Sequence, residues 1–392
     1  MELDVERFRR YLDGIDVDGY LIDADSSEPD QRYVSQLDAH DPFVTLFDGV
    51  RTRLLIWGSD VHRAPNASRA DSVHGPEEYG LDEILLEHEG REQKRDIVAK
   101  FLHSHDISSV AVSYRFPTGL TRGLEQRGIR IKAGHDTIIK DLRTQKTDSE
   151  LQSIKQAQTA NEAAFRVVED MLRESLIRDG GLYLGEDPLT ADRILDKIDQ
   201  VALQHDCILD HDPVLAWGSD AADPHGRSTG QLQAQETIVL DLGPRHRGSG
   251  YHSDMTRTFL KGEPSPEATE FHEVTVRALH EALSVIEDGV SGESVHEAVC
   301  NVFDQDGYPV KRDGQDPESG YLHYTGHGVG LDLHEPPHCS PGDETLEAGN
   351  VLSIEPGLYD PAVGGVRIED LVRVTDDGCE NLTDYHEEMV IP

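Results

Sequence analysis

Four carboxylates stand inside apolar, β-rich runs of the C-terminal half, where an ionised side chain is hardest to keep. Asp241 interrupts Thr237-Ile-Val-Leu-Asp-Leu-Gly243, and Asp254 lies in Ser253-Asp-Met-Thr-Arg-Thr258. Glu355 lies in Leu352-Ser-Ile-Glu-Pro-Gly357, and Glu369 in Gly365-Val-Arg-Ile-Glu-Asp370. A bare carboxylate beside a hydrophobic core is costly unless it is paired, protonated or bound to a cation. Singly, each could be an ion pair, a strand-end hydrogen-bond acceptor or a surface acid. Together they ask for a common partner.

A histidine segment supplies part of the answer. In Tyr324-Thr-Gly-His-Gly-Val-Gly-Leu-Asp-Leu-His-Glu-Pro336 the glycines flanking His327 permit close backbone approach and leave the imidazole free to reach a bound group. Four carboxylates and one imidazole form a mixed oxygen and nitrogen set whose charge suits two divalent cations, as in two-metal sites with ions about 3.5 to 4 Å apart.

The rest of the composition narrows the setting. The chain has 392 residues, enough for two domains with separate cores. Its formal net charge of -40 comes from 76 acidic and 36 basic side chains, of which nine are Lys, and the acids are spread along the whole length. Such a surface repels nucleic-acid phosphates and anionic lipid, which excludes both as partners. It predicts adaptation to molar salt, where self-repulsion is screened within about 3 Å. The opening residues MELDVERFRRYLDGIDVDGYLID lack the basic flank and apolar stretch of a signal peptide, and no run is long enough to span a bilayer, so a soluble cytoplasmic protein is expected. Cys207, Cys300, Cys339 and Cys379 form no C-x-x-C pair and are expected to be buried, inert thiols. The sequons at Asn66 and Asn381 are expected to be incidental.

Periodicity predicts an α/β first domain, residues 1-145, and a second domain, residues 146-392. Gly19–Asp23, Arg53–Trp57 and Ser109–Ser113 read as strands, Gln93–His103 as a helix and Ser59–Gly80 as loop. A long helix begins at Thr147 or Asp148, and further helices are predicted from Ser265-Pro266 to Ile286 and from Ser291 to Phe303. Thr237–Gly243, Val351–Tyr359 and Gly364–Val374 are predicted strands.

The five motifs Asp241-Leu-Gly, Ser253-Asp254-Met-Thr-Arg-Thr, Gly326-His327-Gly-Val-Gly, Glu355-Pro-Gly and Arg367-Ile-Glu369-Asp stand in the order of the prolidase and aminopeptidase P branch of the pita-bread, creatinase-like metallopeptidases, and the chain resembles that branch over roughly residues 147 to 392. Arg32-Tyr-Val-Ser-Gln-Leu-Asp-Ala-His-Asp-Pro-Phe43 is similar to the tyrosine-led loop of the creatinase-type N-terminal domain. The resemblance implies an α/β (α+β) chain: a creatinase-like N-terminal domain followed by a pita-bread catalytic domain. It makes Asp241 a ligand of one metal, Asp254 and Glu369 bridging ligands, and His327 and Glu355 ligands of the second. It implies hydrolysis of the bond between an N-terminal residue and proline, in dipeptides or longer peptides, by a metal-bridging hydroxide with Glu355 as proton shuttle. His225 and His334 are expected to hydrogen-bond the scissile carbonyl or its oxyanion. Arg367 is expected to orient the site, and its presence favours the proline-directed branch over methionine aminopeptidases. Manganese is the expected metal, with cobalt or zinc as alternatives, and a homodimer is expected.

Two other readings remain open on sequence alone: a lyase or another small-molecule hydrolase on the same fold, and a peptide-binding scaffold without catalysis. The clusters His205-Asp206 and Asp210-His211-Asp212, with His338 and His386, are read as solvated faces of a very acidic chain. The loop Pro244-Arg-His-Arg-Gly-Ser-Gly250 is slightly longer than is usual in the family, which bears on the rim of the site.

Overall fold

The computed structural model describes residues 3–82, 90–135, 137–312 and 317–392. The chain divides into two compact units, one ending at Arg143 and the other running from Thr144 to Pro392.

The first unit is built on a mixed sheet whose strands run, in spatial order, Ser72–His74, Thr52–Leu55, Phe43–Phe47, Gly19–Ala24, Ser109–Val112 and Arg130–Ala133. Gly19–Ala24, Ser109–Val112 and Arg130–Ala133 are parallel, which requires crossovers, and the helices Arg91–Ser104 and Thr118–Glu125 supply apolar faces to cover them. Phe101, Leu102, Leu120 and Leu124 pack with Leu21, Val110 and Val112 in one core. The stretch Ser59–Gly80, expected to be loop, instead holds the helix Asp60–Ala67, the strand Ser72–His74 and a 3-10 turn Pro76–Tyr79. These elements are short and polar. The strand exists because Arg53, Leu54 and Leu55 pair in parallel with Ser72, Val73 and His74, a tertiary contact that leaves no local pattern.

The second unit opens on the helix Asp148–Glu174. Its start is a capping box: the Thr147 hydroxyl accepts from the Glu150 N–H at 3.4 Å, and the Thr147 N–H donates to the Glu150 carboxylate at 2.8 Å. The Ser265 and Ser291 hydroxyls cap the helices Pro266–Val285 and Gly292–Gln305 by accepting from the Ala268 and Ser294 N–H groups.

Two sheets carry the strands of interest. Val214–Trp217, Ile238–Leu242, Met255–Lys261 and Val390–Ile391 form one; Glu335–Cys339, Gly326–Gly328, Val351–Ile354, Asp370–Thr375 and Gly378–Asn381 form the other. The predicted strands Val351–Tyr359 and Gly364–Val374 are each broken in two. Val351–Ile354 pairs with Asp370–Thr375, whereas Gly357–Asp360 pairs with Gly364–Arg367, so both arms leave the five-stranded sheet between Ile354 and Gly357 and between Arg367 and Asp370. Pro356 cannot donate to a ladder, which helps end the first arm. At the breaks the Glu355 N–H donates to the Thr325 carbonyl at 2.8 Å and the Glu369 N–H to the Thr256 carbonyl at 3.0 Å. The two glutamates therefore sit at the junction of the sheets, Glu369 pinned to the strand Met255–Lys261 and Glu355 to Thr325, which immediately precedes Gly326–Gly328.

Arg257, 1% exposed, ties this region together. It donates to the Asp370 carboxylate at 2.7 Å, to the Glu369 and Thr256 carbonyls, and to the carbonyl of His386 at 2.8 Å. Cys207, Cys300 and Cys339 are buried and Cys379 half-buried, and all four are free thiols. Among the described residues no helix is long and apolar enough to cross a membrane.

Candidate metal centre

All eight residues singled out from the sequence, His225, Asp241, Asp254, His327, His334, Glu355, Arg367 and Glu369, line one cavity of about 490 Å³. Asp241 projects from the strand Ile238–Leu242, opposite Thr256 of the neighbouring strand. Asp254 immediately precedes Met255–Lys261 and is buried. Glu355 and Glu369 come from the breaks just described. His327 lies in Gly326–Gly328, where space is tight: a Cβ on Gly326 would lie 1.9 Å from the Ser353 carbonyl oxygen, and one on Gly328 2.4 Å from that of Pro336. The glycines let the histidine strand enter between its neighbours.

Ligand-type atoms of Asp254, His327 and Glu369 lie within 4.8 Å of one another. His327 Nε2 is 3.7 Å from Asp254 Oδ2 and 3.6 Å from Glu355 Oε1. Its Nδ1 faces the Gly328 carbonyl at 3.1 Å; a carbonyl only accepts, so Nδ1 carries the proton and Nε2 presents its lone pair, with the Ser353 hydroxyl at 3.2 Å and the carboxylates just beyond. Burial, with His334 alongside, holds the His327 pKa down at about 3, leaving the imidazole neutral.

The carboxylates show the opposite strain. Burial, followed by repulsion from Glu369, Asp241 and Glu355, pushes Asp254 well above the usual carboxylate range. Glu355 is raised by burial and by Glu369, and Glu369 is raised to about 7 by burial and Asp241. Among the described residues Arg367 is the only Lys or Arg within ion-pair distance of these five, donating Nη2–H to Asp241 Oδ2 at 2.5 Å. Crowded buried carboxylates beside a neutral, lone-pair-out imidazole form a donor set short of positive charge, which is what two divalent cations supply. The residues present fit a dinuclear centre.

Arg367, 2% exposed, is the hub of the surrounding network. Its Nε donates to Thr256 Oγ1 at 3.2 Å, and that hydroxyl donates to Glu369 Oε2 at 2.7 Å. Nη1 donates to the Pro224 carbonyl at 3.0 Å, fastening the segment that carries His225, and to the Tyr359 hydroxyl at 2.9 Å. Tyr359 in turn donates to His323 Nε2 at 2.8 Å, since His323 Nδ1 is committed to the Tyr324 carbonyl at 2.8 Å. Tyr359 and His323 escaped the sequence reading. Their only signal was proximity to the motifs, Tyr359 four residues after Glu355 and His323 four before His327.

His334 packs its ring on that of His327, centroids 4.1 Å apart at 53°, and its own pKa is lowered, chiefly by burial. His225 is exposed at the cavity wall. The residues read as solvated faces are divided by the structure. His205 and Asp206 are exposed. His211, Asp212 and His338 also reach solvent, but all three line the cavity, with His338 held by Glu344 at 3.2 Å. His386 is not simply solvated: its Nε2 pairs with Glu169 at 2.9 Å, and Tyr385 donates to the same carboxylate. Which exposed residues border a cavity, and which find a partner as His386 does in Glu169, depends on chain segments distant in sequence. The 244–250 loop carries a short strand, Arg245–His246, paired with Cys207–Ile208.

Comparison with known proteins agrees with this geometry. The model of metallopeptidase family M24 matches residues 152–376. The chain is 31% identical over 261 residues to an Xaa-Pro dipeptidase of Pyrococcus furiosus, spanning 65% of this chain and 67% of that one. Among solved structures, an Xaa-Pro dipeptidase from Bacillus anthracis superimposes with a TM-score of 0.83 at 25% identity, covering 99% of each chain. An X-Pro aminopeptidase from Thermotoga maritima does so with a TM-score of 0.79 at 26% identity, covering 97% of this chain and 100% of the other. The chain belongs to metallopeptidase family M24, in its pita-bread prolidase and aminopeptidase P branch.

Proposed function

We propose that this protein is an Xaa-Pro metallopeptidase, hydrolysing the peptide bond between an N-terminal residue and proline in a metal-dependent reaction. The observation that carries the reading is the convergence of four carboxylates and a neutral imidazole on one cavity, in a chain whose named relatives are Xaa-Pro peptidases. Asp241, Asp254, His327, Glu355 and Glu369 would hold two divalent cations. When bound, these supply Lewis acidity and lower the pKa of a coordinated water.

The chain's own groups then have distinct tasks. Glu355, on the cavity wall beside His327, takes the proton from the attacking water and delivers it to the proline nitrogen. His225 and His334, on the cavity wall, hydrogen-bond the scissile carbonyl as its oxygen gains charge. Arg367 holds Asp241 in place and, through Thr256, steadies Glu369. The oxygen-rich donor set favours manganese, then cobalt, with zinc also accommodated. The acidic surface supports a cytoplasm of high salt as the working compartment, and the family resemblance supports a homodimer.

The direct experiment assays Xaa-Pro dipeptides and tripeptides against Xaa-Ala controls in molar salt, with protein stripped of metal and reloaded with each ion. Cleavage before proline that vanishes on stripping and returns on reloading is expected; no cleavage of any Xaa-Pro substrate under any metal would overturn the assignment. In the same assay His334→Ala is expected to lower turnover by about a hundredfold, as for one lost transition-state hydrogen bond, with metal content unchanged. Emptying of the centre would instead make His334 part of the metal-holding set.

A further inference from the structure

The loop Pro244-Arg-His-Arg-Gly-Ser-Gly250 has no part in the chemistry above, yet it builds something of its own. Its strand pairs in register with the segment before Asp210, Cys207 with His246 and Ile208 with Arg245, and a bridge from Arg245 to His252 closes the other side. This folding brings Asp210, His211 and His252 together, with one ligand-type atom of each within 4.8 Å of the other two. His211 Nδ1 is 3.2 Å from Asp210 Oδ1, and the His211 and His252 rings are 5.6 Å apart at 64°. Arg245 Nε donates to Asp210 Oδ2, fixing the carboxylate with its other oxygen toward His211.

His252 is the independent sign of a ligand. It is 3% exposed, and its Nδ1 faces the Gly243 carbonyl at 3.4 Å. Because the carbonyl can only accept, Nδ1 carries the proton and Nε2 is left as a bare lone pair, without a hydrogen-bond partner among the described residues. A buried imidazole is normally satisfied at both nitrogens. One nitrogen donates to a carbonyl, the other has no partner among the described residues, and the ring brings a ligand-type atom within 4.8 Å of a carboxylate and a second imidazole, which is the way metal-ligating histidines are held.

We propose that Asp210, His211 and His252 form an accessory divalent-cation site of the zinc-binding kind, separate from the dinuclear centre. Two imidazoles and one carboxylate with an open fourth position suit zinc better than manganese, whereas the carboxylate-rich centre has the harder set. Ligand bonds of about 2.0 to 2.2 Å place tetrahedral donors roughly 3.3 to 3.6 Å apart, so closure from the present spacing needs movement of about 1 Å. The exposed side chain of His211 can provide it around His252 and the Arg245-held Asp210. Arg245 orients Asp210 but also adds a positive charge nearby, which keeps the affinity moderate. His211 also lines the catalytic cavity, so a bound ion sits at that wall.

The test counts zinc. Full-length protein is stripped with a chelator in molar salt, equilibrated with zinc alone, and analysed for bound metal per chain, beside His211→Ala and Asp210→Asn. Wild type is expected to hold three zinc ions per chain and each variant two, with circular dichroism spectra superimposable on wild type. Zinc content equal in wild type and either folded variant overturns the proposal. So does a variant that falls below two ions, because its residue would then support the dinuclear centre itself. The two variants alter different exposed side chains, so misfolding of one leaves the other to decide.

Discussion

Asp254→Asn is expected to lower turnover by about a thousandfold or more while the circular dichroism spectrum stays that of the wild type. Asp254 is 4% exposed, within 4.8 Å of both His327 and Glu369, and the proposed roles make it a bridging ligand. Its neutral isostere keeps shape but removes a charge that offsets the cations, so bound metal is expected to fall below two ions per chain. The same substitution carries a second, opposite expectation. In the metal-free protein Asp254 is repelled by Glu369, Asp241 and Glu355, so metal-free Asp254→Asn is expected to melt no lower than metal-free wild type. Near-normal turnover with two bound ions would remove Asp254 from the centre. A large loss of metal-free stability would mean that its carboxylate has a structural partner instead.

Lowering salt from molar to tens of millimolar is expected to unfold the protein and abolish its activity. The Debye length grows from about 3 Å to about 20 Å over that range, so carboxylates across a face begin to repel one another. With a formal charge of -40, small repulsions summed over many pairs compete with a folding stability of typically about 5 to 15 kcal/mol. The metal centre offers an internal control, since its buried carboxylates add to the repulsion when bare and cease to do so when occupied. Manganese is therefore expected to shift the unfolding midpoint toward lower salt by mass action. Circular dichroism across a salt series, with and without manganese, measures both. An unfolding midpoint unchanged from molar salt to tens of millimolar would show that the acidic surface is not a salt adaptation.

Much of the centre could be read from the chain because its parts are chemically conspicuous. A carboxylate such as Asp241 inside an apolar run is expensive wherever it is placed, so its mere presence signals a compensating partner. Helix starts were equally legible, because a cap such as Thr147 with Glu150 satisfies orphan N–H groups by purely local bonds. The ordered motifs identified the branch of the family, and the five donors are the reason divalent cations are proposed for the site.

Other features exist only through long-range packing. Nothing local to Val351–Tyr359 shows that the chain changes sheets at Glu355; the switch follows from pairing with Asp370–Thr375 on one side and Gly364–Arg367 on the other. The chain of bonds from His323 through Tyr359 and Arg367 to Asp241 spans four segments, and no one of them shows the link by itself. Asp210 and His211 read as ordinary solvated residues until the pairing of Cys207–Ile208 with Arg245–His246 sets them beside His252. The sequence by itself determined which side chains cannot remain uncompensated, since that is a matter of burial and charge. The tertiary structure decided which of them meet and which way a ring nitrogen points, because those depend on strand register and sheet switching between segments that are not neighbours in the chain, from Cys207 with His246 to Asp241 with Arg367.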